Sequence, residues 1–246
     1  MGSSPKTMRL LAMMPVFNEA DILKHALLKL LNQGIEVIVF DNHSTDNSAN
    51  IAQSLGIKTN TYGRPDKWKV EEMVSTLQSF ARKAEADWCM LHAADEIFVS
   101  DREGETYLEA ITRLDTRGFN AVDHELRGYL PIDNKFEPGT DHEAYFRHWT
   151  PNVPTNRRGA PLIRTWKQYS QVNLTMRTHN VSFPNKCLAS EKLIIKHYPI
   201  RSQEHGERKV LRERFGRGDK MSFSQYKEVR ETKRFLHNPA DLQVDP

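Results

Sequence analysis

Apolar positions change period several times in the first third of the chain, and each change marks an element. Leu10-Leu-Ala-Met-Met14 and Val37-Ile-Val-Phe40 contain no polar residue, the pattern of strands buried on both faces of a sheet. Between them Ile22, Leu23, Ala26, Leu27, Leu30 and Leu31 recur at helical spacing, which predicts a helix over residues 19–32 closed by Gly34. A helix over 46–55 ended by Gly56, a short strand over 57–61, a long helix over 70–84 and an apolar strand over 88–92 complete a βαβαβαβ alternation. That alternation implies an α/β fold with a mostly parallel central sheet and right-handed crossovers.

From Phe119 to Thr165 the pattern breaks. Pro131, Pro138, Gly139, Pro151, Pro154 and Gly159 punctuate short extended pieces, predicting a small antiparallel excursion and a long loop of the kind that walls a substrate site. A last strand over 193–196 ends at His197, and the remainder reads as helical and amphipathic to about Phe235. The expected organisation is a loose tail over 1–7, one domain over 8–200, and a helical extension over 201–246 packed on it.

Composition adds exclusions. A chain of 246 residues buries roughly 70–75% of its unfolded surface and needs neither disulfide nor metal to fold. Cys89 and Cys187 have no paired spacing, which argues against a disulfide framework and a cysteine zinc site and fits a reducing cytosol. Net charge is +3, and basic residues gather between Arg201 and Lys233, among them Arg208, Lys209, Arg212, Arg214, Arg217 and Lys220. Acidic residues interleave there, so a solvated helical face is expected and no nucleic-acid partner. No apolar run reaches the length of a membrane span and no charged-then-apolar leader is visible. The expected location is cytoplasmic, with peripheral contact at the inner face of a membrane left open.

The chemistry gathers at strand ends. Pro15-Val-Phe-Asn-Glu19, Asp41-Asn-His-Ser-Thr-Asp46 and Ala93-Ala-Asp-Glu96 each follow an apolar run, and the C-terminal ends of parallel strands share one edge, where α/β sheets bind ligands. Ser44 or Asp46 can equally cap the helix that follows. Neither Gly-x-Gly-x-x-Gly nor Gly-x-x-x-x-Gly-Lys-[Ser/Thr] occurs, which argues against ordinary dinucleotide and P-loop sites. Carboxylates facing phosphates repel them unless a cation intervenes, and hard oxygen ligands favour Mg²⁺ or Mn²⁺.

These clusters together resemble the opening of the family 2 glycosyltransferases of GT-A fold. Asp87-Trp-Cys-Met-Leu-His-Ala-Ala-Asp-Glu96 resembles that family's strand and Asp-x-Asp segment, and Lys196-His-Tyr-Pro-Ile-Arg-Ser202, followed by Gln203 and Lys209, resembles the late motif of a bacterial branch. The resemblance runs from Met8 to about Lys209 and is patchy over Pro138–Pro161. It implies a GT-A-like domain that moves a sugar from a nucleotide-diphosphate sugar, UDP-sugar first, to a hydroxyl of a sugar or glycolipid acceptor. Inversion at the anomeric carbon, metal assistance and a role in bacterial surface polysaccharide or glycoconjugate synthesis are implied with it. Pro15, Asn18 and Glu19 would line the nucleotide pocket with Asp46, Asp41 would accept a hydrogen bond from the base, and Arg201 would face the leaving diphosphate. Asp95 and His197 would hold Mn²⁺ or Mg²⁺, with Glu96 in reserve; Ala93 departs from the pattern, because an acid is expected there. His179, in Arg177-Thr-His-Asn-Val181, would be the general base, with Asp133 and Asp123 as alternatives and Asp141 and Glu143 in a loop of unclear reach. A nucleotidyltransferase is disfavoured by the acidic Phe17-Asn-Glu-Ala-Asp21, and Ala93 leaves a non-catalytic nucleotide-sugar binder as the remaining rival.

Overall fold

The computed structural model describes residues 7–67, 69–151, 160–175, 180–214 and 232–245. Strand β1 (Leu10–Val16) is central, with β2 (Glu36–Asp41) parallel on one side and β4 (Trp88–Leu91) parallel on the other. β3 (Lys58–Thr61) extends the parallel half beyond β2. Beyond β4 the sheet continues through β8 (Ile163–Lys167), antiparallel to both β4 and β6 (Ala121–Tyr129). β11 (Leu188–His197) runs parallel to β6 and antiparallel to β5 (Glu96–Val99), while β7 (His148–Thr150) and β12 (Gln243–Val244) extend from the far end of β6. In this ten-stranded sheet β1, β2, β3, β4, β6, β11 and β12 point one way, and β5, β7 and β8 the other. A separate two-stranded antiparallel sheet, β9 (Asn173–Leu174) and β10 (Val181–Ser182), lies beyond the segment 119–165 where an antiparallel excursion was expected.

Alternation along the strands divides the core between two faces. Leu10, Ala12, Met14 and Val16 of β1 and Trp88 and Met90 of β4 face one cluster, while Met13, Cys89 and Leu91 face the other. The first face is covered by α1 (Leu23–Leu31), α2 (Ser48–Ser54) and α4 (Tyr107–Thr116), through Leu23, Leu27, Leu30, Ala52, Ala110, Ile111 and Leu114. The second is covered by α3 (Val70–Ala81), through Met73, Val74, Leu77 and Ala81. Each set follows helical spacing, so the apolar stripe in the sequence is the buried face. Gly34 adopts φ 75°, and the Ile35 N–H reaches back to the Leu30 carbonyl at 3.1 Å, the left-handed stop expected there.

Differences from the sequence reading are local and have causes. β1 runs through Pro15, which pairs with Phe40 of β2 but lies beyond the last β4 pairing, Met13 with Leu91; one side of the strand there needs no amide. Helix α1 starts at Leu23 because the preceding loop is held by other bonds, described below. α4 and β5 went unread, although Thr106 and Glu109 form a capping box at the start of α4. The segment from Phe119 is more regular than its prolines suggest, with a nine-residue β6 and the internal strand β8. After β11, α6 (Gln203–Gly206) leads into a π-helical stretch, Glu207–Arg214. Among the described residues no helix is long and apolar enough to cross a membrane.

Candidate functional site

Because β1, β2, β4 and β11 share a direction, Val16, Asp41, Leu91 and His197 end on one edge. The β1 and β2 loops interlock there. Asn18, in the left-handed region at φ 55°, accepts the Thr45 N–H at 2.8 Å. The N–H groups of Asn18 and Glu19 donate to the hydroxyls of Ser44 and Ser48 at 3.1 and 3.0 Å. Asp46 accepts the Ala20 N–H at 3.0 Å and the Ser48 N–H at 2.9 Å. Asn47, not Asp46, is the N-cap of α2; Asp46 bonds the first residue of that helix and the β1 loop, and Asn18 clamps the loop pair. Pro15 is half-buried on β1 behind them.

Asp41 is different. Its carboxylate is buried at the end of β2, with Oδ2 accepting the Ser44 N–H at 3.1 Å and Oδ1 without a partner among the described residues. Such an orphan acceptor is uncommon in a folded protein and calls for an explanation. The Asn42 side chain beside it donates to the Tyr62 carbonyl at 2.9 Å.

Five charges meet at the neighbouring strand ends. Glu19 accepts from Lys209 Nζ on Oε1 and from Arg201 Nη2 on Oε2, both at 2.6 Å. Arg201, 1% exposed, also donates to Asp21 through Nε at 2.8 Å and Nη2 at 2.9 Å. Lys209 reaches a second carboxylate, Asp95 Oδ2, at 2.9 Å, and His197 Nε2 stands 3.7 Å from that same oxygen. Burial by itself raises the Asp95 carboxyl, but Lys209 and His197 hold it well below the usual carboxylate range. The Tyr198 N–H donates to the Asp95 carbonyl at 2.7 Å, tying the end of β11 to the β4–β5 turn. Arg201 is therefore not an exposed cation awaiting a diphosphate; Glu19 and Asp21 occupy it.

The metal expectation can be tested on the donors present. Glu96 accepts from the Ala93 N–H at 3.0 Å and from Arg164 Nη2 at 2.5 Å, so it holds the turn together. Asp95 and His197 do converge, but among the described residues no group of three or more histidine, cysteine or acidic side chains could hold an ion. The Asp95 oxygen nearest His197 already carries the Lys209 ammonium. One paired carboxylate and one imidazole do not fit the oxygen-rich shell of Mg²⁺ or Mn²⁺.

The base candidates are dispersed. His179 lies outside the described residues. Asp133 is in a loop, bonded to the Lys135 N–H at 3.0 Å and to the Tyr145 hydroxyl, which holds it below the usual carboxylate range. Its neighbour Asn134 accepts the Gln203 N–H at 2.8 Å and lines, with Asp21, Phe136, Arg201 and Arg208, a cleft of about 550 Å³. Asp123 is buried, not a surface carboxylate, and accepts the Leu162 N–H at 2.6 Å with Lys192 at 2.8 Å. Asp141 caps α5 (His142–Tyr145), and Glu143 pairs with Lys29 and Lys196. Asp21, Arg164 and the bridging role of Lys209 were missed; Lys209 stood in the late motif, but nothing local distinguishes it from its basic neighbours.

Residues 12–119 match the family described as Glycosyl transferase family 2. Comparison with curated proteins gives no match. Among solved structures the chain is similar to S. aureus TarS, at 11% identity and TM-score 0.47, over 78% of this chain and 37% of that one. It is also similar to glucosyl-3-phosphoglycerate synthase from Mycobacterium tuberculosis, solved with Mn²⁺, UDP and glucosyl-3-phosphoglycerate, at 16% identity and TM-score 0.35, over 48% and 44% of the two chains. This chain spans less than half the length of either structure. The stretch that matches the Glycosyl transferase family 2 model carries Asn18, Glu19, Asp41 and Asp95.

Proposed function

We propose that this protein is a glycosyltransferase that takes its sugar from a nucleoside-diphosphate sugar, UDP-sugar foremost, and transfers it with inversion to a hydroxyl of a sugar or glycolipid acceptor. The observation that carries the reading is Asp41 Oδ1, a buried carboxylate oxygen without a partner at the end of a central strand. A ring or amino N–H of a nucleobase supplies the donor it lacks, and satisfying such a group removes a cost of about 1–3 kcal/mol. A cation stands further along the same edge. A base on Asp41 leaves its diphosphate toward the β1 and β4 ends, where Lys209 stands between Glu19 and Asp95.

In the reaction the acceptor oxygen attacks the anomeric carbon as the bond from that carbon to the diphosphate oxygen breaks. The hydroxyl proton passes to a base, and the nucleoside diphosphate leaves with the bonding electron pair. His179 and Asp133 remain the proposed bases; the cleft beside Asn134 and Gln203 supports an acceptor approach from the Asp133 side. Positive charge near the departing diphosphate stabilises the transition state electrostatically. No step is routed through a divalent ion, since the residues present do not fit one. A place in bacterial surface polysaccharide or glycoconjugate synthesis accords with the resemblance of the late motif.

The test is a thermal-shift panel of UDP-, GDP-, ADP- and dTDP-sugars, followed by an assay for released nucleoside diphosphate. One nucleotide class should raise the melting temperature by mass action, and acceptor should accelerate its release. If no nucleotide sugar stabilises the protein with or without Mn²⁺, the donor assignment is wrong.

A further inference from the structure

We infer that Lys209 is a built-in cation for the donor diphosphate, and that donor binding at this edge requires no divalent ion. This deepens the nucleotide-sugar reading above and rests on it. The ammonium is buried and bonded to two carboxylates from different strand ends, Glu19 at 2.6 Å and Asp95 at 2.9 Å. Asp95 is the acid the metal assignment needed, and Ala93 stands where the first acid of its motif is expected. Lys209 therefore sits where an ion bridging protein and diphosphate would have to be.

Donor number favours this role over a purely structural one. An ammonium has three N–H donors, and two are used here; the third has no partner among the described residues. Lys209 also projects from the π-helical stretch Glu207–Arg214, a backbone form often found at functional sites. A divalent ion entering the same space would have to displace the ammonium from Asp95 and leave it buried beside a second cation.

The experiment is calorimetric titration of UDP, with GDP, ADP and dTDP in parallel, in EDTA and in millimolar Mn²⁺. It uses the full chain and the variants Lys209→Met and Lys209→Arg, with melting curves for each. Wild type should bind its nucleotide in EDTA within about twofold of its affinity in Mn²⁺. Lys209→Met should lose about tenfold or more in EDTA, the scale of a charge-assisted bond, and recover in Mn²⁺ because Glu19 and Asp95 are freed to hold an ion. Lys209→Arg should retain metal-independent binding. Wild-type binding seen only with Mn²⁺ would overturn the inference while leaving the nucleotide reading intact; this arm needs no variant to fold. Unchanged affinity of Lys209→Met in EDTA with a lowered melting temperature would show a structural lysine and overturn it equally. Failure of every nucleotide to bind in both buffers would remove both readings.

Discussion

At Asp41 two oxygens of one carboxylate divide the work. Oδ2 holds the turn through Ser44, and Oδ1 is buried with nothing to accept. Asp41→Ala should weaken nucleotide affinity by roughly tenfold to a hundredfold. Titration of that variant with the stabilising nucleotide checks this; unchanged affinity with a lower melting temperature would reduce Asp41 to a turn residue. A second single-residue effect is in the core. His142 is fully buried, neither ring nitrogen has a partner among the described residues, and burial with His25 and Arg201 pushes it down to about 4. Its folded value lies below the unfolded value of about 6.5, so the unfolded state takes the proton first. Stability should be complete above pH 6.5 and fall as pH drops toward 4. Melting temperatures of wild type and His142→Phe over that range should diverge, the variant showing the shallower slope. At this scale the sequence exposed Asp41 and Asp95 as acids ending apolar runs, but capping and binding demand the same residue types. Only the bonds show that both Asp46 oxygens are taken up in holding the loops, whereas Asp41 Oδ1 has no partner among the described residues.

Elements were legible where one local period decides burial. The stripe of α1 and the alternation of β1 and β4 each follow from which side chains must leave water. β8 was not legible, because Arg164 and Thr165 are polar yet buried in the middle of the sheet. Arg164 bonds the Leu91 carbonyl at 3.0 Å and Glu96, and Thr165 bonds the Tyr107 hydroxyl at 2.6 Å, so their burial depends on partners far away in sequence. Turns are held as tightly. Gly63 has φ 72°, and a Cβ there would lie 2.5 Å from Asn42 Nδ2, the group that bonds the Tyr62 carbonyl beside Asp41. Gly63→Ala should cost about 1–2 kcal/mol from the left-handed backbone alone and weaken nucleotide binding by displacing Asn42. A denaturant melt and a nucleotide titration on the same variant check both effects; full affinity would mean that the turn does not position Asp41.

For the whole molecule, the decisive contacts join the N-terminal loops to residues that follow the last long strand. Arg201 lies 180 residues from Asp21, and Lys209 lies 190 residues from Glu19. Arg201→Met would leave Asp21 and half of the Glu19 charge buried without their partner, a loss of about 3–5 kcal/mol. Chemical denaturation should show that loss as an earlier midpoint with unchanged slope. A midpoint like that of wild type would mean that Asp21 and Glu19 find water or other donors when Arg201 is gone.

The sequence by itself determined the parallel half of the sheet, the helices that cover it and the edge where Glu19, Asp41 and Asp95 emerge. Burial of a strand or a helix face is written in a period of two or of about 3.6 residues, which a short window contains. The tertiary structure decided what those acids face. A lysine in a basic run carries the same local signature whether it is solvated or buried, so the pairing of Lys209 with Glu19 and Asp95 cannot be read from its neighbours. Its environment is set by the reversal of β8, the return of β11 alongside β6 and the helical stretch that follows. Desolvation strengthens those pairs by lowering the local dielectric.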